Sequence, residues 1–140
     1  MFFKKILVPV DGSKHALLAK HKAAGIAVSM NAEIVLVNVT GGIPSIIGGH
    51  AREEIKEEMR VEAEKIFQQY IPEIEEHGVK YSTRITHGRP FDAICETAEE
   101  DGCDLICIGT RGLGEVEGML LGSVTAVLIA HCKIPILVIR

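Results

Sequence analysis

The chain has 140 residues, 47% of them apolar and 24% charged, which is the makeup of a folded domain and excludes a disordered segment. Fifteen basic residues against nineteen acidic give a net charge of −4, which argues against nucleic acid as the main partner, since backbone binding there rests on Lys and Arg. Aromatic side chains are scarce (four Phe, two Tyr, no Trp), so Ile, Leu, Val and Ala must fill the core, as suits strands covered on both faces.

The opening MFFKKILVPV has a short apolar run after its lysines and reads as a strand, not a signal peptide. No run reaches membrane-spanning length, so a cytoplasmic location without a membrane partner is expected. Residues 13–29 then place Ala16, Leu17, Ala24 and Val28 at helical spacings behind Ser13, which can cap. EIVLVNV is the second strand, and the loop TGGIPSIIGG, residues 40–49, is apolar and rich in glycine. Residues 50–77 carry the longest helical pattern, with Ile55, Met59, Ala63, Ile66 and Tyr70 on one face. Its acidic run EEIKEE reads as a solvated face laced with pairs such as Arg60 with Glu64, and Pro72 kinks or ends the helix.

VKYSTRIT is the third strand. Residues 90–101 open on Pro90, tolerated in a first helical turn, and Phe91, Ile94, Cys95 and Ala98 form the apolar stripe. DLICIG is the fourth strand, Ser123 to His131 the last helix, and PILVIR the fifth strand. His131 falls at the helix's C-terminal end, where a partial charge suits it. The four cysteines, Cys95, Cys103, Cys107 and Cys132, form no C-x-x-C pair and read as small apolar fillers. Strands alternating with helices imply an α/β fold, a three-layer open parallel sheet of five strands with helices on both faces, in one domain spanning 1–140.

The stretch GTRGLGEVEGMLLGS, residues 109–123, invites two phosphate motifs and matches neither. No lysine precedes a Ser or Thr as a Walker loop requires, and after Gly112 and Gly114 the dinucleotide fingerprint meets Glu117, with Gly118 one residue late. The underlying physics still applies. The stretch starts at the carboxyl end of a parallel strand, beside Ile108 and Gly109, where ligands of open α/β sheets bind. It ends at Gly122 and Ser123, where a helix start offers amides and a positive dipole end to an anion. Arg111 is the cation of the loop. The plainer alternative is that the glycines make turns and Ser123 caps. Asp11, at the end of the first strand, suits a ribose hydroxyl or base amine, and a helix-capping role is compatible with that.

With ILVPVDGS, HGRPFDAICETAEEDGCDLICIGTRG and GSVTAVLIAHCKIPILVIR in place, the whole chain resembles the universal stress proteins. It resembles their ATP-binding branch in the spacing G-x2-G-x9-G-[ST], met here by Gly109, Gly112, Gly122 and Ser123. The resemblance implies a Rossmann-like sheet, similar to the adenine nucleotide alpha hydrolases, in the order 3-2-1-4-5 with its switch point between the first and fourth strands. It implies that Pro9, Val10, Asp11 and Val39 hold adenine and ribose, and that Gly112, Gly122, Ser123, Val124 and Thr125 hold the phosphates of ATP with Mg²⁺. It also implies a homodimer through the last strand, residues 135–140. Asn38 departs from the histidine many relatives carry there.

The function expected is a nucleotide-dependent stress-response module with at most slow ATP hydrolysis, since no Walker-type lysine or evident general base accompanies the loop. The alternatives are a dimeric interaction module that binds no nucleotide, and an enzyme using His15 or His21, both of which read as surface residues of the first helix.

Overall fold

The computed structural model describes residues 2–111 and 121–140. Five strands, β1 (Lys5–Pro9), β2 (Glu33–Thr40), β3 (Tyr81–His87), β4 (Leu105–Gly109) and β5 (Ile136–Ile139), form one sheet in the order β3-β2-β1-β4-β5. All four pairings are parallel. Helices α1 (Lys14–Met30), α2 (Gly49–Phe67), α3 (Ile71–Glu76), α4 (Pro90–Glu100) and α5 (Ser123–His131) make the crossovers. The expected fold class and strand order are thus observed, with the order reversing between β1 and β4.

Alternation along the strands builds two cores. Ile6 and Val8, Ile34 and Leu36, Leu105 and Cys107 face α1, α2 and α3. Leu7, Val35, Val37, Ile106 and Ile108 face the other way, onto Ile94 and Ala98 of α4 and Leu128 of α5. The central strand is closed to solvent on both faces, which explains its unbroken apolar run. β3 lies at an edge and is largely exposed, so its sequence alternates with polar residues.

Helix α1 buries Ala16, Ala19, Ala23, Ala24 and Ala27, a face of small side chains that lets it lie close on the sheet. Ser13 caps it as expected, its Oγ accepting the Ala16 amide at 3.2 Å, and Asn31 closes it in the left-handed conformation (φ 55°). Val28, expected on the apolar face, is 55% exposed. The long pattern over 50–77 is two helices, with Pro72 in the first turn of α3, where a missing amide costs no hydrogen bond. Arg60 pairs with Glu57 at 2.7 Å, one turn back, not with Glu64 as the spacing suggested.

Lys20 is only 7% exposed, and its Nζ lies 2.8 Å from Glu73 Oε1, while His21 Nδ1 lies 2.7 Å from Oε2. Burial pushes the Glu73 carboxyl up, but the hydrogen bonds and charges of Lys20 and His21 together outweigh it and hold it below its ordinary value of 4.5. A carboxyl depressed in the folded state stabilises fully above its unfolded value and loses that contribution as pH falls through the folded one. Glu73→Gln is therefore expected to flatten the acid limb of a urea-stability profile below about pH 4.5. An acid limb identical to that of the parent would show that the α1–α3 ion pair contributes nothing.

Two cysteines behave as fillers. Burial pushes the Cys103 thiol up to about 11 and the Cys107 thiol to about 12, so neither ionises near neutrality. The other two depart from that expectation. Cys95 of α4 and Cys132, which follows α5, are joined by a disulfide across a Cα–Cα distance of 6.0 Å.

Candidate functional site

Where the strand order reverses, the ends of β1, β2 and β4 diverge and leave a cleft of about 220 Å³. The lining includes Pro9, Val10 and Asp11 beyond β1, Val39 of β2, Ile108 and Gly109 of β4, Arg111, and Gly122, Val124 and Thr125 at the start of α5. Every candidate residue read from the sequence is therefore at this cleft except two. Ser123 is the first residue of α5 but is exposed and outside the lining. Gly112 lies outside the described residues, as do Gly114, Glu117 and Gly118.

The β1 edge of the cleft is a shaped turn. Gly12 takes φ 85°, which a side chain would resist. Its amide donates to Tyr70 Oη at 2.9 Å, so a phenol from the start of α3 holds the turn. Burial pushes that phenol up to about 12, keeping it protonated. Asp11 Oδ1 accepts the Ser13 amide at 2.9 Å, so the carboxylate helps to shape the entry to α1 while lining the cleft.

The opposite edge is tied to β4. Thr125 Oγ1 donates to the Gly109 carbonyl at 2.9 Å, and the Gly122 amide donates to the Thr110 carbonyl at 2.6 Å. Both groups are thus engaged in positioning α5. Gly122 is the N-cap and contributes no side-chain cap, so Ser123 does not serve as one. The first-turn amides of Ser123, Val124 and Thr125 lack intrahelical partners by construction and carry the positive end of the helix dipole.

Gly109 also carries a packing constraint. An added Cβ would meet His15 of α1, at 2.7 Å from Cβ and 2.8 Å from the backbone carbon and oxygen. Glycine is required here by helix packing. His15 is accordingly half-buried against the sheet, whereas His21 is the exposed histidine of the pair.

Arg111 brings the cleft's positive charge. Its Nε is shielded from solvent and has no hydrogen-bond partner among the described residues. Asp11 is the one acidic residue of the lining among the described residues, and no histidine or lysine joins it there. The sequence reading missed Ser13, Ala16, Val37, Asn38, Pro90 and Ile94 as lining residues. Asn38 carried a usable signal, a carboxamide inside an apolar strand. It is 7% exposed, and its Nδ2 donates to the Val10 carbonyl at 2.9 Å, bridging β2 to the β1 turn. Pro90 and Ile94 carried none, because only the crossover of α4 brings them to the strand ends.

A model of the universal stress protein family matches residues 2–140. The chain belongs to the universal stress protein family. A universal stress protein of Methanocaldococcus jannaschii is 36% identical over 99% of this chain and 82% of its own length. Another, from Bacillus subtilis, is 31% identical over 99% of both. Among solved structures, the hypothetical protein MJ0577 superposes with a TM-score of 0.88 at 30% identity, covering 99% of this chain and 96% of its own. A universal stress protein in complex with cAMP superposes with a TM-score of 0.74 at 26% identity, over 100% and 98% of the two chains. In universal stress protein terms, the cleft lies at the switch point of the family's sheet, and α5 begins at its rim.

Proposed function

We propose that this universal stress protein is an ATP-binding, nucleotide-dependent stress-response module of the cytoplasm. The observation that carries the reading is the cleft itself: an apolar slot between strand ends that meets one carboxylate, a guanidinium whose Nε has no hydrogen-bond partner among the described residues, and a helix N-terminus. Pro9, Val10 and Val39 suit a flat base, and Asp11 accepts from ribose hydroxyls. Arg111 and the first amides of α5, at Ser123, Val124 and Thr125, receive the phosphates, with Gly112 assigned there by its place in the motif. The cAMP complex of a relative supports adenine nucleotide as the ligand class.

The residues present fit that ligand. The N-cap has no side chain to occupy the helix end, and Arg111 Nε is shielded without a hydrogen-bond partner among the described residues. Mg²⁺ comes with the phosphates as their counter-ion, since no group of three His, Cys, Asp or Glu side chains gathers among the described residues. Hydrolysis is at most slow, because the acid at the cleft is committed to the β1 turn and to sugar.

Calorimetry with ATP, ADP and AMP on nucleotide-stripped protein tests the reading. Asp11→Asn keeps an oxygen for the Ser13 amide but removes the charge, and is expected to weaken ATP binding by roughly tenfold, the scale of one charge-assisted hydrogen bond. No heat and no thermal shift with any of the three nucleotides would refute it.

β5 is an edge strand with Leu137 36% exposed and, near it in sequence, Ile129 of α5 49% exposed. We assign residues 135–140 as the contact of a homodimer, because an apolar edge is otherwise open to uncontrolled pairing. Light scattering that reads a monomer at every concentration removes this part.

A further inference from the structure

The Cys95–Cys132 bond joins the two helices that build the far wall of the cleft. Pro90 and Ile94 of α4 line the cleft, and Cys95 directly follows Ile94. Val124 and Thr125 line it from the first turn of α5, and Cys132 is the residue that caps the other end of that helix. The bond therefore ties both ends of the wall together: Thr125 anchors α5 to β4 at the cleft, and Cys132 anchors it to α4 at the rear.

The sulfur pair is also placed for chemistry. Both cysteines are partly exposed, in a surface groove between α4 and α5 bordered by Phe91, Glu96, Glu99 and His131. The remaining thiols, Cys103 and Cys107, are buried and held protonated, so they do not compete for exchange. In a reducing compartment, disulfides that do form are characteristically transient or redox-sensing.

The geometry points to Cys95 and Cys132 as a reversible dithiol–disulfide site, worked by small thiols and disulfides of the glutathione class, whose state sets how firmly the cleft's α4–α5 wall is held. The coupling to ligand rests on the nucleotide reading above; the redox site itself does not. In the reducing direction, a glutathione thiolate attacks one protein sulfur, the protein S–S bond breaks, and the other cysteine leaves as a thiolate that takes up a proton. A second glutathione thiolate resolves the mixed disulfide. The sum is protein disulfide plus two glutathione giving protein dithiol plus one oxidised glutathione, a two-electron exchange that runs backwards when oxidised glutathione is in excess.

Protein equilibrated in glutathione buffers, then unfolded and alkylated, reports the site by mass. Two alkylated cysteines, Cys103 and Cys107, are expected under oxidised glutathione and four under excess dithiothreitol. Four under every buffer would overturn the site, as would two that persist in dithiothreitol with the protein still folded. ATP titration of the two forms reads the coupling: reduction is expected to weaken binding about fivefold, the lower end of ordinary coupling between sites. Cys95→Ser should show the reduced-form affinity with or without dithiothreitol, and Cys132→Ser provides the same control should the first fold poorly. Equal affinities in the two redox forms sink the coupling. If neither form binds ATP, it is the nucleotide reading that fails, and hydrogen exchange over residues 121–131 decides instead. Faster exchange after reduction upholds the held wall, and unchanged exchange overturns it.

Discussion

Replacing Gly109 with alanine is expected to destabilise the fold by about 3 kcal/mol, the upper range for forcing an extra methyl into a packed interior. The methyl would stand 2.7 Å from His15 Cβ and 2.8 Å from the carbon and oxygen of the His15 carbonyl. Backbone atoms cannot rotate away as a side-chain tip can, so α1 must lift from β4 or β4 must bend. Either movement disturbs Ala16 and Ala19, which the helix buries against the sheet. It also shifts the Gly109 carbonyl that receives Thr125, and with it the start of α5 at the cleft. A urea melt of Gly109→Ala checks the prediction, and a midpoint within error of the parent would show that α1 slides at little cost. The same substitution at Gly25, where an added Cβ meets nothing within 4 Å, is the control and is expected to be neutral or stabilising.

Reducing the Cys95–Cys132 bond is expected to lower stability by about 4 kcal/mol, on the chain-entropy account of a loop this size. The bond closes a separation of 37 residues, and that loop contains β4, α5 and the glycine stretch between them. Its loss frees the unfolded chain more than it alters any native contact. For a domain of this length that amounts to a fall in melting temperature of roughly 10 °C. Scanning calorimetry with and without dithiothreitol measures it directly. Cys95→Ser should melt with the reduced protein in both conditions. A melting temperature indifferent to reductant would mean that the native state relaxes enough to offset the entropy.

These two effects mark the limit of what could be read without coordinates. The parallel α/β fold was legible because each strand is a short β-branched run, and three of the five helices open on a recognisable first turn: Ser13 capping α1, Pro90 in the first turn of α4, Ser123 opening α5. The switch point was legible from strand ends, since Pro9, Asp11 and Gly109 follow apolar runs whose order was implied by the resemblance to the universal stress proteins. Helix spacing misjudged Arg60, because i−3 and i+4 partners both lie within reach and only the rotamer selects Glu57 over Glu64.

Local sequence by itself thus determined most of the elements and their parallel α/β alternation, because periodicity and turn chemistry act over a few residues, while the strand order came from the family resemblance. Tertiary structure alone decided the rest. That Cys95 and Cys132 meet across 37 residues depends on the packing of α4 on α5, which no spacing encodes. That Gly109 answers to His15, and that Pro90 and Ile94 close the cleft, likewise depends on where two crossovers land. Such contacts are set by helix placement on a twisted sheet, and the residues that make them look ordinary in the chain.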